Sequence, residues 1–149
     1  MISFSVLGNP ISKPRMTQRD KWAKRPCVLQ YWAWAQRAWE AVAKEKMPEA
    51  LEESMVNGKA IPTIVSITAV FGFPVSYSKS KRLMLAGQPH LLKPDVDNIE
   101  KAVIDALFRK GDSQVWATHA SKVWDNPALG NQGPRVDVRI ETGGQEGIT

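Results

Sequence analysis

The sequence predicts an α+β domain: a mixed four-stranded sheet carrying two main helices, in the order β-α-β-α-β-β. Two periodicities and one ordering predict it. Apolar residues alternate with polar ones over 2–7 and 135–141 and fill both faces of 63–73, while they recur at three and four over 28–46 and 97–108. The last two strands follow one another directly.

Ile2, Phe4 and Val6 alternate with Ser3 and Ser5, which predicts a first strand with one buried face, ended by Gly8-Asn9-Pro10. Residues 9–27 hold three prolines and no period, as expected of a long surface loop. From Val28 to about Lys46, Val28, Tyr31, Trp32, Ala35, Trp39, Val42 and Ala43 form a helical stripe that leaves Trp34 off the core side. A connection with a short helical turn at Glu49–Met55 leads to the longest strand, Thr63–Phe73, whose two largely uncharged faces place it centrally. Val75–Leu92 reads as a loop. Ile99, Ala102, Val103, Ala106 and Leu107 then predict a helix over 97–108. Gln114–Trp124 is strand-like, and Arg135–Glu141, charged on alternate residues, suits an edge strand. We expect one domain over 1–141 and a flexible tail over 142–149.

With 149 residues, 43% of them apolar, the chain can bury a core without a disulfide or a structural metal. One cysteine, Cys27, excludes an internal disulfide, and with only His90 and His119 beside it a tetrahedral zinc site is not expected. No apolar run approaches a membrane span, and the opening residues lack a basic stretch followed by an apolar one, so we expect a cytoplasmic chain without membrane partners. The net charge of +5 is uneven. Lys13, Arg15, Arg19, Lys21, Lys24 and Arg25 crowd one loop, and Lys79, Lys81 and Arg82 form a second group. Either run alone is an ordinary solvated loop. Two of them ahead of an acidic cluster point to a polyanion acted upon at a metal.

That cluster is Lys93-Pro94-Asp95-Val96-Asp97-Asn98-Ile99-Glu100-Lys101, then Asp105-Ala106-Leu107, then Gly111-Asp112-Ser113-Gln114. Phosphodiester hydrolysis is limited by charge on the phosphorus oxygens and the leaving oxygen, which one or two Mg²⁺ ions about 4 Å apart can neutralise. Mg²⁺ takes hard oxygen ligands and keeps several waters, so a few aspartates suffice. A plain structural reading stands beside this: Asp97 with Glu100 makes a capping box, and Asp112 after Gly111 suits a turn. Capping does not account for Asp95 on this reading.

The run from Lys93 to Lys101, with Asp105-Ala106-Leu107 and Asp112-Ser113-Gln114-Val115, resembles the signature of the RusA-type Holliday-junction resolvases, many encoded by bacteriophages or prophages. Gly8-Asn9-Pro10-Ile11-Ser12-Lys13-Pro14-Arg15 is similar to the opening of phage-type members. The resemblance implies a RusA-like fold and a nuclease that acts on four-way DNA as a homodimer, matching the two-fold symmetry of its substrate. It implies Mg²⁺, with Mn²⁺ as a substitute, and no small-molecule cofactor. Asp95, Asp97 and Asp112 are then the metal carboxylates, Lys101 acts on the scissile phosphate, Asn98 orients a carboxylate, and Asp105 stands in reserve. Two departures accompany it. Gly111 occupies a position that is commonly acidic in the family, and the segment from Asp105 to Asp112 is shorter.

Lys13, Arg15, Arg19, Lys79, Lys81, Arg82 and Lys93 are the expected phosphate contacts, and Trp22, Tyr77 or His90 could stack on bases. The function expected is a Mg²⁺-dependent, structure-selective endonuclease, with an inactive branched-DNA binding protein of the same fold as the alternative.

Overall fold

In the computed structural model of the chain, residues 1–21, 25–130 and 133–143 are described. They form strands β1 (Ile2–Leu7), β2 (Thr63–Phe71), β3 (Val115–Trp124) and β4 (Arg135–Thr142), and helices α1 (Pro26–Ala43), α2 (Glu49–Met55), α3 (Lys79–Leu85) and α4 (Val96–Leu107). The chain is α+β with a four-stranded mixed sheet, in the order β1-β4-β2-β3. β4 pairs antiparallel with both β1 and β2, whereas β2 and β3 are parallel. Parallel neighbours require a crossover, and α4 lies within it.

β2 is central, as its two uncharged faces require. β4 is not the edge strand its charges suggest, because it lies between β1 and β2. Those charges all point to one side of the sheet. There Asp137 accepts from Ser5 Oγ at 2.6 Å and from Arg135 Nε at 3.1 Å, while Val136, Val138 and Ile140 on the other side are buried under the helices. A sheet covered on one face only tolerates alternation in an interior strand as readily as at an edge.

The core beneath the helices gathers Val65, Ile67, Val136 and Ile140 with Trp34 and Val42 of α1, Leu51 of α2, and Ile99, Val103 and Leu107 of α4. The stripe of α1 is rotated from the expected one: Val28, Tyr31, Trp34, Ala38 and Val42 are buried, and Trp32 is exposed. Both stripes share Val28, Tyr31 and Val42. The choice falls to the flanking residues, where small Ala38 allows α1 to approach α4 closely, and Trp39 moves to the margin under the Arg109 guanidinium, 4.8 Å from its ring centre.

α3 occupies part of what reads as a loop. Ser78 caps it by accepting from the Lys81 amide, and none of its residues is buried, so no apolar stripe marks it in the sequence. His90, expected in an open loop, is buried with its ring stacked 3.9 Å from that of Phe71 and 4.4 Å from that of Trp124. Burial, with Lys122 nearby, holds its pKa below the ordinary 6.5. It therefore packs as a neutral ring and is not exposed for stacking on bases. The Trp22 and Lys24 positions, and the tail beyond Gly143, lie outside the described residues. Among those described, no helix is long and apolar enough to cross a membrane.

Candidate active site

Asp95 and Asp97 stand at the start of α4, but not as the capping box predicts. The helix begins at Val96, so Asp95 is the N-cap residue, with φ −67° and ψ 151°, and its side chain makes no capping hydrogen bond. Asp97 falls in the first turn, where a carboxylate is favoured by the helix dipole by roughly 0.3–1 kcal/mol. Glu100 does not reach back to the cap. Its carboxylate accepts from Thr118 Oγ1 of β3 at 2.5 Å. The early start has a cause in the tertiary structure: Lys122 Nζ of β3 donates to the carbonyls of Leu92 at 2.5 Å and Pro94 at 2.7 Å. That clamp holds the bend at residues 92–94, where the Lys93–Pro94 bond is cis, and Asp95 follows it in an extended conformation.

Asp112 lies beyond the other end of α4, in the turn before β3, where its carbonyl accepts from the Val115 amide. The helix from Asp97 to Leu107 rises about 15 Å at 1.5 Å per residue. Asp112 shares a groove beside β3 with Glu100, Ile104, Trp116 and Thr118. Since Glu100 follows Asp97 by three residues, it lies on the same side of the helix. An acidic track thus runs from Asp97 through Glu100 to the groove of Asp112. The motif reading passed over Glu100 as a capping partner, and its contact with Thr118 is not visible in local sequence. Gly111, the departure from the family pattern, has φ +113°, a conformation that glycine adopts at little cost and an acidic side chain does not.

Of the seven aspartates in the chain, four are engaged. Asp20 binds Arg25, Asp105 binds Lys13, Asp125 faces Arg135, and Asp137 binds Arg135 and Ser5. The side chains of Asp95, Asp97 and Asp112 have no hydrogen bond or ion pair among the described residues, and all three are exposed. These are hard oxygen donors of the kind Mg²⁺ takes, left unspent by the fold. Among the described residues no three His, Cys, Asp or Glu side chains converge closely enough to hold a metal. An ion that keeps most of its waters needs only one or two carboxylates, so the set fits in kind without forming a closed cage.

The basic candidates divide. Lys101 and Asn98 border a recess of about 480 Å³ together with Lys13, Pro14, Arg15 and Met16. Lys13 is spent on Asp105, Nζ to Oδ2 2.7 Å. Arg82 donates to the carbonyls of Tyr77, Pro74 and Val75, and so holds the loop before α3 together. Lys81 lies 3.8 Å from the centre of the Tyr77 ring. Arg19, Lys79 and Lys93 are exposed. Lys122, Thr118 and the Asp20–Arg25 pair carry no signal in the motif, because their roles arise from pairing across the fold.

Over 155 aligned positions the chain is 32% identical to "Uncharacterized protein YqaN" of Bacillus subtilis (strain 168), an alignment covering 93% of this chain and 94% of that protein. The family model described as "Endodeoxyribonuclease RusA" matches residues 9–141. A match of that extent, which takes in all four helices and every strand but β1, means that this chain belongs to the RusA endodeoxyribonuclease family.

Proposed function

We propose that this chain is a divalent-metal-dependent, structure-selective endonuclease that resolves four-way DNA junctions as a homodimer. Its family supports a nuclease of the Holliday-junction resolvase type. The observation that carries the finer reading is the sorting of the aspartates: the fold pairs Asp20, Asp105, Asp125 and Asp137 and leaves Asp95, Asp97 and Asp112 at the surface without a protein partner among the described residues. Unpaired carboxylates next to basic residues oppose phosphate binding unless a cation lies between them.

In this reading Asp95 and Asp97 are the principal metal ligands, and Asp112 joins them along the track that passes Glu100. Mg²⁺, or Mn²⁺ in its place, would supply charge neutralisation at phosphate and an activated water. The chain's own groups do the rest. Lys101 and Asn98 present an ammonium and an amide to the phosphate bordering the recess, and Lys122 holds the backbone that delivers Asp95. The exposed cations Arg19, Lys79 and Lys93 supply the salt-sensitive part of binding.

Nicking of a synthetic four-way junction in Mg²⁺ tests this. Asp95→Asn should abolish cleavage and leave junction binding within a few-fold of the wild type; undiminished cleavage overturns the assignment. The separation of Asp112 from Asp95 along α4 favours one second reading, a branched-DNA binding protein without activity. It predicts salt-sensitive junction binding and no product at any Mg²⁺ or Mn²⁺ concentration.

A further inference from the structure

We propose that Lys13 is a positioning residue, tethered to Asp105 so that Arg15 joins Asn98 and Lys101 in one built seat for a backbone phosphate of nucleic acid. This rests on the reading of the chain as a DNA-binding nuclease.

The residues around Lys13 and Arg15 lie in a long proline-containing loop, which by itself would be costly to order. Two sets of contacts fix it. Asp20, buried at 4% exposure, accepts from the Thr17 amide at 2.7 Å, Thr17 Oγ1 at 3.0 Å, and Arg25 Nε and Nη2 at 3.1 and 3.0 Å. The same Arg25 Nη2 donates to the Arg15 carbonyl at 2.6 Å, so the backbone of Arg15 is held directly. On the other side Lys13 meets Asp105 of α4, with both side chains only about a quarter exposed. Arg15 lies between these two anchors.

What the anchors present is a set of donors without acceptors. The Arg15 guanidinium, the Asn98 amide and the Lys101 ammonium border the recess of about 480 Å³, and none has a side-chain partner among the described residues. A guanidinium meets phosphate through two parallel hydrogen bonds, and the lysine adds a point charge. Lys13 borders the same recess, yet its charge is already matched by Asp105. Were Lys13 itself the phosphate contact, Asp105 would be a liability beside a polyanion, and its removal would strengthen binding.

The two roles therefore predict opposite signs for one substitution, read by fluorescence anisotropy of a labelled four-way junction without divalent cations. As a tether, Asp105→Asn weakens binding by about ten-fold, close to the loss in Arg15→Ala. The double variant is then no weaker than Arg15→Ala alone, because both remove the same contact. Arg15→Ala also lowers the slope of log affinity against log salt by about one. The charge-swapped protein, Lys13→Asp with Asp105→Lys, recovers most of the loss and guards against a general folding defect in the single variant. Binding by Asp105→Asn as tight as wild type or tighter overturns the tether and leaves the nuclease reading standing. A wild-type protein that binds neither junction, duplex nor single strand, whether without divalent cations or in Ca²⁺, overturns both.

Discussion

Lys122 Nζ on β3 lies 2.7 Å from the Pro94 carbonyl oxygen and 2.5 Å from that of Leu92, so one ammonium spans the segment that delivers Asp95 to the N-terminus of α4. Its charge is used to shape backbone, and among the described residues no carboxylate forms an ion pair with it.

Lys122→Met should therefore act on cleavage far more than on binding. A displacement of about 1 Å at a reacting group can cost about 100-fold in rate. We expect single-turnover junction nicking to fall by roughly 10–100-fold, with anisotropy showing only a small change in affinity and Lys122→Arg restoring part of the rate. Equal losses in binding and cleavage would mark Lys122 as a DNA contact instead.

The loop carrying Arg15 should respond to acid through Asp20. The Arg25 guanidinium and the Thr17 amide hold this carboxyl at about 2, below its ordinary 3.8. A pKa lowered by folding stabilises the protein above the unfolded value and ceases to do so as pH falls through the folded one. The stability difference between wild type and Asp20→Asn should be constant above about pH 5 and shrink steadily from about pH 4 towards pH 2. Urea unfolding of the two proteins across that range measures it; a difference independent of pH would remove the ionised Asp20–Arg25 pair from the account.

Gln114, third in the Asp112-Ser113-Gln114 signature, is a structural member of it. Its Nε2 donates to the Ser54 carbonyl at 2.6 Å, Ser54 Oγ meets Thr63 Oγ1 at 2.7 Å, and all three residues are buried. This network joins α2 to the entrances of β2 and β3. Gln114→Ala leaves a buried carbonyl without its donor, at a cost of about 1–3 kcal/mol. We expect a lower urea midpoint with an unchanged slope, while junction cleavage at low temperature stays near the wild-type rate.

Legibility in the sequence follows the range of the forces involved. β1, β2, β4 and α4 were readable because burial of one face imposes a period of two or 3.6 on neighbouring residues. The acidic signature was readable for a similar reason, since Asp95, Asp97 and Lys101 occupy one short span. α3 buries nothing and left no stripe to read. Whether Trp32 or Trp34 turned inward depended on how closely α1 packs on α4, and β4 became an interior strand through partners about 130 residues away in β1 and some 70 away in β2.

By itself the sequence determined the fold class, the strand and helix periods, and which short acidic span could meet a metal. Tertiary structure decided which of those charges remain available. Lys13 and Asp105 cancel across 92 positions, Glu100 is held by Thr118, and Lys122 sets where α4 begins. Periodicity records only which face a residue turns to the core, whereas a charge is spent or left free by groups that chain topology brings within about 3 Å.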